Sequence, residues 1–206
     1  MARKAQKKSQ KSRPDPAAAA IAAALKLAAV TPWREITMAD IAAAAKLDET
    51  ELSNTFSSKV ALLNGFNAHV DEQALKAGGD GETIRENLFD LIMARFDHLA
   101  PHKAAIENIL KATVPGDPVA GLYGLCALRK SMAATLAAAG ETSSGLERKI
   151  KVKALSLLYL RIFAIWLKDD SADIAKTMAA LDKVLARAEG LAQNFGKWPS
   201  PRKAAA

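Results

Sequence analysis

The sequence predicts an all-α protein with an N-terminal helix-turn-helix unit and a larger C-terminal helical domain. Half of its 206 residues are apolar and only 5% are aromatic, and alanine, which has the highest helix propensity, is very frequent. Runs of β-branched residues with period-two alternation, which would predict strands, do not occur. Residues 171–194 instead carry an apolar stripe at helical spacing, formed by Ile174, Met178, Leu181, Leu185, Ala188 and Ala192.

The net charge of +7 is concentrated at the two ends of the chain. Residues 1–13 contain six basic residues and no acid, and residues 197–206 contain three more. The rest of the chain therefore carries a net charge of −2. We expect both tails to be disordered, although such tails can also bind phosphates or anionic lipid.

Helix-capping signals divide the N-terminal region into short helices. Asp15-Pro16 predicts the start of a first helix that ends near Thr31-Pro32. Thr37 with Asp40 resembles a capping box and opens a short helix to about Lys46. A second short helix is predicted from Thr50 to Phe56, and Ser57 or Ser58 caps a longer one that runs to about Lys76. Short helices joined by a tight turn predict helix-turn-helix geometry.

Three glycines between residues 78 and 81 separate this unit from the rest of the chain. Beyond them we predict helices at about 82–100, 102–113, 118–139, 143–169 and 171–194, the last capped by Ser171. The chain thus divides into a basic tail (1–13), a helix-turn-helix domain (14–72), a larger helical domain (82–195) and a second basic tail (196–206).

The segment "ITMADIAAAAKLDETELSNTFSSKVALL", residues 36–63, resembles the DNA-binding domain of the TetR family of bacterial regulators. The resemblance extends over about residues 17–66 and rests on core spacing together with the junction Phe56-Ser57-Ser58-Lys59. It implies a TetR-like fold and a one-component transcriptional regulator, in most cases a repressor, that binds a palindromic operator in double-stranded DNA. Three positions depart from the family pattern. Lys46 replaces the usual turn glycine, and Ser53 and Thr55 stand where the family has aromatic residues or histidine.

Candidate DNA contacts follow from this resemblance and from the chemistry of the side chains. Thr37 and Lys59 lie at helix starts, which bind phosphates, while polar side chains on the second short helix can reach base edges. These side chains are Thr50, Ser53, Asn54 and Thr55. Residues 37–59 have a net charge of −2, which disfavours DNA. The N-terminal tail can supply the missing cations along the backbone or in the minor groove, above all through Arg3, Lys4, Lys7 and Lys8.

The resemblance also implies a homodimer formed by the last two helices and a pocket for a small apolar ligand. The helix over 143–169 is apolar on nearly all sides, which independently favours enclosure on several sides, by its own domain or by a partner subunit. The predicted interface consists of Leu158, Ile162, Trp166, Met178, Leu181 and Leu185. The predicted pocket lining consists of Met93, Phe96, Leu122, Tyr123, Cys126 and Phe163.

An alternative reading comes from the C-terminal sequence "FAIWLKDDSADIAKTMAALDKVLARAE", which resembles the TetR-like accessory proteins of ubiquinone biosynthesis. Those proteins bind isoprenoid lipid and do not regulate genes, and only this alternative implies contact with a membrane. The matching residues are Trp166, Asp169, Asp170, Ser171, Thr177, Leu181 and Asp182.

Catalysis and cofactors are not expected. The sequence contains no Gly-x-Ser-x-Gly nucleophile elbow, glycine-rich phosphate loop or Cys-x-x-Cys motif. His98 and His102 are four residues apart, but Pro101 between them argues against a shared helical face and a metal site. The single cysteine, Cys126, excludes an internal disulfide and favours a cytoplasmic protein.

Overall fold

The computed structural model describes residues 15–113 and 118–195, which contain α-helices, one 3₁₀ turn and no strand. The all-α prediction is confirmed. The helices are α1 (Pro16–Val30), α2 (Met38–Ala45), α3 (Glu49–Thr55), α4 (Lys59–Ala77), α5 (Ile84–Leu99), α6 (Lys103–Thr113), α7 (Pro118–Ala138), α8 (Gly145–Trp166) and α9 (Ala175–Phe195), with the 3₁₀ turn at Ala100–His102.

Side-chain caps start α1, α2 and α4 at the predicted places, whereas α3 has no side-chain cap and begins at Glu49, one residue before its predicted start. The Asp15 carboxylate accepts a hydrogen bond from the backbone of Ala17 at the start of α1. Thr37 and Asp40 form a reciprocal capping box on α2, and Ser58, one of the two predicted candidates, caps α4. These bonds satisfy backbone N–H groups that have no partner within the helix, so the sequence sets the helix starts locally.

Helices α1–α4 form the N-terminal unit around a small apolar core. Alanines on the inner face of α1, at positions 20, 24 and 28, are fully buried and let α2 and α6 approach closely. Ile41 from α2, Leu52 from α3 and Leu62 from α4 are fully buried in the same core. This packing fixes α3 against α1 and leaves its other side to solvent.

Helices α5–α9 form the body, and α5 lies at its centre in contact with α4, α7 and α9. Phe96 of α5 is fully buried and stacks with three aromatic rings from α8 at centroid separations of 5.5–6.5 Å. These rings belong to Tyr159, Phe163 and Trp166. Large stacked aromatic side chains bury much surface and pack in specific geometries, so α8 is anchored to α5 along its C-terminal half.

Helix α6 packs chiefly on α1, although the glycines at residues 78–81 predict a domain boundary between these two helices. The Asn108 side-chain amide donates to the carbonyls of Ala28 and Thr31, at 2.9 and 2.8 Å, at the C-terminal end of α1. The Arg34 guanidinium donates to the carbonyl of Ala112 near the end of α6. These contacts attach α6 to the N-terminal unit.

The start of α9 differs from the prediction. The helix begins at Ala175 rather than residue 171, because Ile174 has a left-handed backbone (φ 45°) through which a helix cannot continue. Ser171 is therefore not its N-cap. The Asp169 carboxylate holds this turn instead: it accepts bonds from the hydroxyl of Ser171 and from both the backbone N–H and the hydroxyl of Thr177.

Candidate nucleic-acid interface

A tight turn joins α2 to α3 and determines how α3 is presented. Lys46 takes a left-handed conformation (φ 57°), and its backbone N–H together with that of Leu47 bonds back to carbonyls of α2. This is the position where the resembling family has glycine, and the chain makes the same turn with lysine. Leu47 packs inward, and Leu52 anchors α3 in the core.

The outer side of α3 carries polar side chains around a shallow open depression. Asp48, Thr50, Glu51, Asn54 and Thr55 line it, and its volume is about 700 Å³. Thr50 and Asn54 are exposed and lie four residues apart, so they occupy the same face of the helix. Their side chains are the best placed of the predicted set to reach a groove.

The other two predicted base-reading residues are turned toward their own helix. The Ser53 hydroxyl donates to the carbonyl of Glu49, and the Thr55 hydroxyl donates to that of Glu51 at 2.9 Å. A hydroxyl has one donor, so both oxygens can only accept from a ligand while these bonds persist. These two hydroxyls are therefore less available as donors to a ligand than those of side chains that point to solvent.

Thr37 sits at the start of α2 and is committed to its capping box. Its hydroxyl donates to Asp40 Oδ2 at 2.7 Å and accepts from the Asp40 backbone. The bond from the Thr37 hydroxyl, followed by the bond from its backbone N–H, lowers the pKa of Asp40. Asp40 is exposed and charged at neutral pH, so a phosphate at this helix start would meet a carboxylate.

Lys59, which the sequence predicts as a phosphate contact, is bonded within its own chain and ties α4 to the preceding segment. Its ammonium donates to the carbonyls of Trp33 and Ile36, at 2.7 and 2.8 Å, and lies 4.7 Å from the centre of the Trp33 ring. Partial burial lowers its pKa. Two of its three N–H groups are thus used to tie α4 to the segment between α1 and α2.

The predicted basic arm, with Arg3, Lys4, Lys7 and Lys8, lies outside the described residues. Among the described part of the unit, the residues around α3 are predominantly acidic: Asp48, Glu49 and Glu51 surround Thr50. The surface of α3 therefore offers hydrogen-bonding groups but little attraction for a polyanion.

Most residues of the predicted dimer interface are buried within their own chain. Ile162, Trp166, Leu181 and Leu185 are 0–3% exposed in the core of their own chain, and Leu158 is partly buried there. Only Met178 is exposed, at 40%. The stripe predicted to contact a partner instead contacts the body. A different face of α8 is open and carries four exposed apolar residues, Leu146, Ile150, Leu157 and Leu160, with the exposed Lys153 between them.

The predicted ligand pocket is not assembled within one chain. Phe96 is fully buried among aromatic rings, and Met93 and Phe163 pack against the core. Leu122, Tyr123 and Cys126 lie exposed on the first half of α7, so they cannot line an enclosed cavity with the other three. The isolated chain has an open cavity of about 590 Å³ elsewhere, beside Arg85, Phe89 and Asp182.

The C-terminal residues that suggested a lipid-binding accessory protein have structural roles here. Trp166 is buried in the aromatic stack. Asp169, Ser171 and Thr177 form the turn before α9, and Leu181 is core. Asp170 contacts Lys103, and Asp182 contacts Arg85.

The structure also places the two histidines that the sequence singled out. His98 is exposed, whereas His102 packs edge-on against Phe66, and its partial burial lowers its pKa. Across the described ranges, no three His, Cys, Asp or Glu side chains come together as a metal site. None of the described helices is long and apolar enough to cross a bilayer.

The described helices thus place a helix-turn-helix unit against a larger helical body. Neither protein-family models nor curated proteins match the sequence, but solved structures do. A TetR transcriptional regulator from Nitrosomonas europaea ATCC 19718 matches with a TM-score of 0.69 at 21% identity, over 85% of this chain and 99% of that one. A TetR transcriptional regulator from Rhodococcus sp. RHA1 matches with a TM-score of 0.56 at 20% identity, over 82% and 94%. The chain has the TetR fold.

Proposed function

We propose that this protein is a TetR-type transcriptional regulator that binds operator DNA as a homodimer and responds to a small apolar ligand. The observation that carries the proposal is α3, which is anchored by Leu52 and presents Thr50 and Asn54 outward from a helix-turn-helix. The likeness to two TetR transcriptional regulators over more than four fifths of the chain supports it.

In this proposal, α3 enters the major groove and Asn54 reads adenine, because a side-chain amide can bond to both N6 and N7 of that base. Thr50 contacts a neighbouring base or phosphate. The six cations of residues 1–13 supply the phosphate attraction that the α3 surface does not provide. Asp15, the N-cap of α1, follows Arg13 by two residues in the sequence, so the arm is joined directly to the N-terminal unit.

Dimerisation would use the exposed face of α8. Leu146, Ile150, Leu157 and Leu160 follow spacings of three, four and seven residues, which is the pattern of a helix–helix seam. Large apolar side chains left open in this pattern mark an association surface. Pairing two copies along α8 and α9 would set the two α3 helices about 34–36 Å apart, one turn of DNA.

The ligand would act by favouring one separation of the two α3 helices over the other. The apolar side chains of Leu122 and Tyr123 on α7 are exposed in the isolated chain, and a pocket that includes them needs a partner subunit or ligand to close it. Release from DNA on ligand binding is the repressor behaviour that we propose.

The test is the affinity of the full chain for its own upstream DNA, measured by fluorescence anisotropy from low to physiological salt. We expect affinity to fall steeply with salt. Asn54→Ala should weaken specific binding by roughly tenfold or more, since a bidentate contact discriminates by about 1–3 kcal/mol. Asn64→Ala, which changes an exposed asparagine on α4, is the matched control. Binding that is indifferent to Asn54 would reject α3 as the reading helix.

The alternative function, a lipid-binding accessory protein, is favoured by one observation: the acidic residues Asp48, Glu49 and Glu51 around the exposed side of α3. Such a protein would carry isoprenoid or phospholipid through purification and would not retard duplex DNA at low salt. Mass spectrometry of an organic extract of the purified protein, alongside the anisotropy measurement, separates the two functions.

A further inference from the structure

Five polar side chains from four helices meet between the N-terminal unit and the body. They are Asn67 and Asp71 of α4, Arg95 of α5, Ser131 of α7 and Tyr159 of α8, and we refer to them as the Arg95 cluster. Arg95 and Tyr159 are only 4% exposed, and Ser131 is 3% exposed. Sequence spacing does not reveal this cluster, because its members lie far apart in the chain.

Arg95 connects the helices through its fixed fork of donors. Its guanidinium forms an ion pair with Asp71, donates to the side-chain oxygen of Asn67, and donates through Nε to the Tyr159 hydroxyl at 2.9 Å. Asp71 in turn accepts bonds from the Ser131 hydroxyl and from the Asn67 amide. A planar guanidinium can satisfy these partners together only in one arrangement of the helices.

A buried ion pair is costly unless all its groups are bonded, and such pairs are best attested as devices that fix one register of packing. The Arg95 cluster is suited to fixing one register of packing between α4 and the helices beside it. Rotation or sliding of α4 would break the contacts of Asn67 and Asp71 together, whereas the apolar contacts nearby tolerate small shifts more readily.

The distance between the cluster and the N-terminal end of α4 means that a small tilt at the cluster produces a larger displacement near α3. Asp71 lies twelve residues after Lys59, the first residue of α4, which corresponds to about 18 Å of helix. A tilt of about 10° at the cluster would therefore move that end by roughly 3 Å, enough to misplace α3 against a groove.

Tyr159 links the cluster to α8. Its ring stacks on Phe96 at 5.5 Å with the planes 3° apart, and on Phe163 at 5.9 Å. Leu157 and Leu160, on the exposed face of the same helix, lie within two residues of it. Because the Tyr159 hydroxyl accepts a bond from Arg95, a shift of α8 caused by a partner or ligand would also displace the Arg95 guanidinium.

We infer that Arg95 is a positioning residue, and that the Tyr159 hydroxyl is the contact through which the state of α8 sets the angle of α4 and hence of α3. The consequence for DNA rests on the proposed function, whereas the mechanical link does not. Removing the Tyr159 hydroxyl, 64 residues away in sequence from Arg95, should therefore reorient the N-terminal unit.

The test compares Tyr159→Phe with Tyr123→Phe, the same chemical change at the exposed tyrosine of α7. Nitroxide labels replace Ala44 on α2 and Lys183 on α9, both exposed, in a Cys126→Ala background diluted with unlabelled chain. Pulsed dipolar spectroscopy should show the distance distribution broadened or displaced by about 2 Å or more in Tyr159→Phe and unchanged in Tyr123→Phe. Operator affinity should fall at least about fivefold in Tyr159→Phe only.

An unchanged distance distribution in Tyr159→Phe would overturn the inference, and so would a changed distribution with unchanged operator affinity where the wild type binds DNA. If the wild type binds no DNA, the proposed function fails and the distance measurement alone decides the link. If Tyr159→Phe does not fold, Arg95→Lys replaces it, since lysine keeps the positive charge opposite Asp71 but lacks the Nε donor that bonds to the Tyr159 hydroxyl.

Discussion

At the scale of single residues, the backbone is strained at two positions that carry a side chain. Among the described residues, Lys46 and Ile174 are the non-glycine residues with positive φ, at 57° and 45°. The left-handed conformation costs an L-residue about 1–2 kcal/mol relative to glycine. Lys46 makes the turn before α3, and Ile174 lies just before α9, so both strained residues sit at junctions that set the direction of a helix.

Replacing Lys46 with glycine should stabilise the protein. The relief of left-handed strain, about 1–2 kcal/mol, exceeds the entropic cost of glycine, about 0.5–1 kcal/mol. The expected net gain is about 0.5–1 kcal/mol in the free energy of unfolding, measured by urea denaturation. Ala45→Gly, one residue earlier and inside α2, is the control and should destabilise. A loss of stability in Lys46→Gly would show that the lysine side chain contributes more than its backbone costs.

Asp169 should make the stability of the protein sensitive to acid. The hydroxyl of Ser171, followed by the hydroxyl and N–H of Thr177, holds the pKa of the Asp169 carboxyl far below its ordinary value of 3.8. A depressed pKa contributes stability that is present above the ordinary value and is lost as the pH falls toward the folded-state value. Asp169→Asn should therefore lower the melting temperature at pH 7, and the difference from wild type should shrink as pH falls from about 4 to about 2. A constant difference across that range would contradict this account.

At the scale of elements, the sequence predicted helix starts best and helix faces least well. Asp15, Thr37 and Ser58 cap their helices through contacts within three residues, so local sequence suffices to find them. Capping motifs do not reveal which side of a helix meets the body. Helix α8 carries apolar residues on nearly all sides, and periodicity gave no basis for choosing between Ile162, which is buried, and Leu157, which is exposed. The partners of Lys59 in the candidate site and of Arg95 in its cluster could not be predicted either, because tertiary packing brings these residues together.

The two faces of α8 should respond differently to substitution. Leu157→Glu places a charge on the exposed face and should convert the proposed dimer to monomers, raising the dissociation constant at least about a hundredfold, because an unpaired charge would be buried at the seam. Ile162→Ala removes buried atoms from the core and should lower the free energy of unfolding by about 2–5 kcal/mol while the folded fraction stays dimeric. Light scattering after size exclusion and chemical denaturation measure the two effects. Dimers that persist in Leu157→Glu would exclude this face as the interface.

At the scale of the whole molecule, most of the positive charge lies outside the helices that form the candidate interface. The N-terminal unit that would meet DNA is acidic around α3, whereas six cations precede α1 in residues 1–13. Helix α6 and the Arg95 cluster join this unit to the body through buried or half-buried polar contacts. Binding of the proposed kind therefore needs two separate contributions: orientation, set by the described helices, and attraction, set by the basic arm.

Neutralising the acids beside Thr50 tests that division of roles. Two charges at about 10 Å interact by roughly 0.4 kcal/mol in water, so Asp48→Asn with Glu49→Gln should improve the affinity of a dimer for DNA by about tenfold at low salt. The gain should disappear near 1 M salt, where the Debye length is about 3 Å. The control changes two exposed acids of the body, Glu82→Gln with Asp97→Asn, and should leave affinity nearly unchanged. Both variants are read by anisotropy against the same upstream duplex. If the α3 variant and the control behaved alike, α3 would not face the phosphates, and the lipid-binding alternative would account better for its carboxylates.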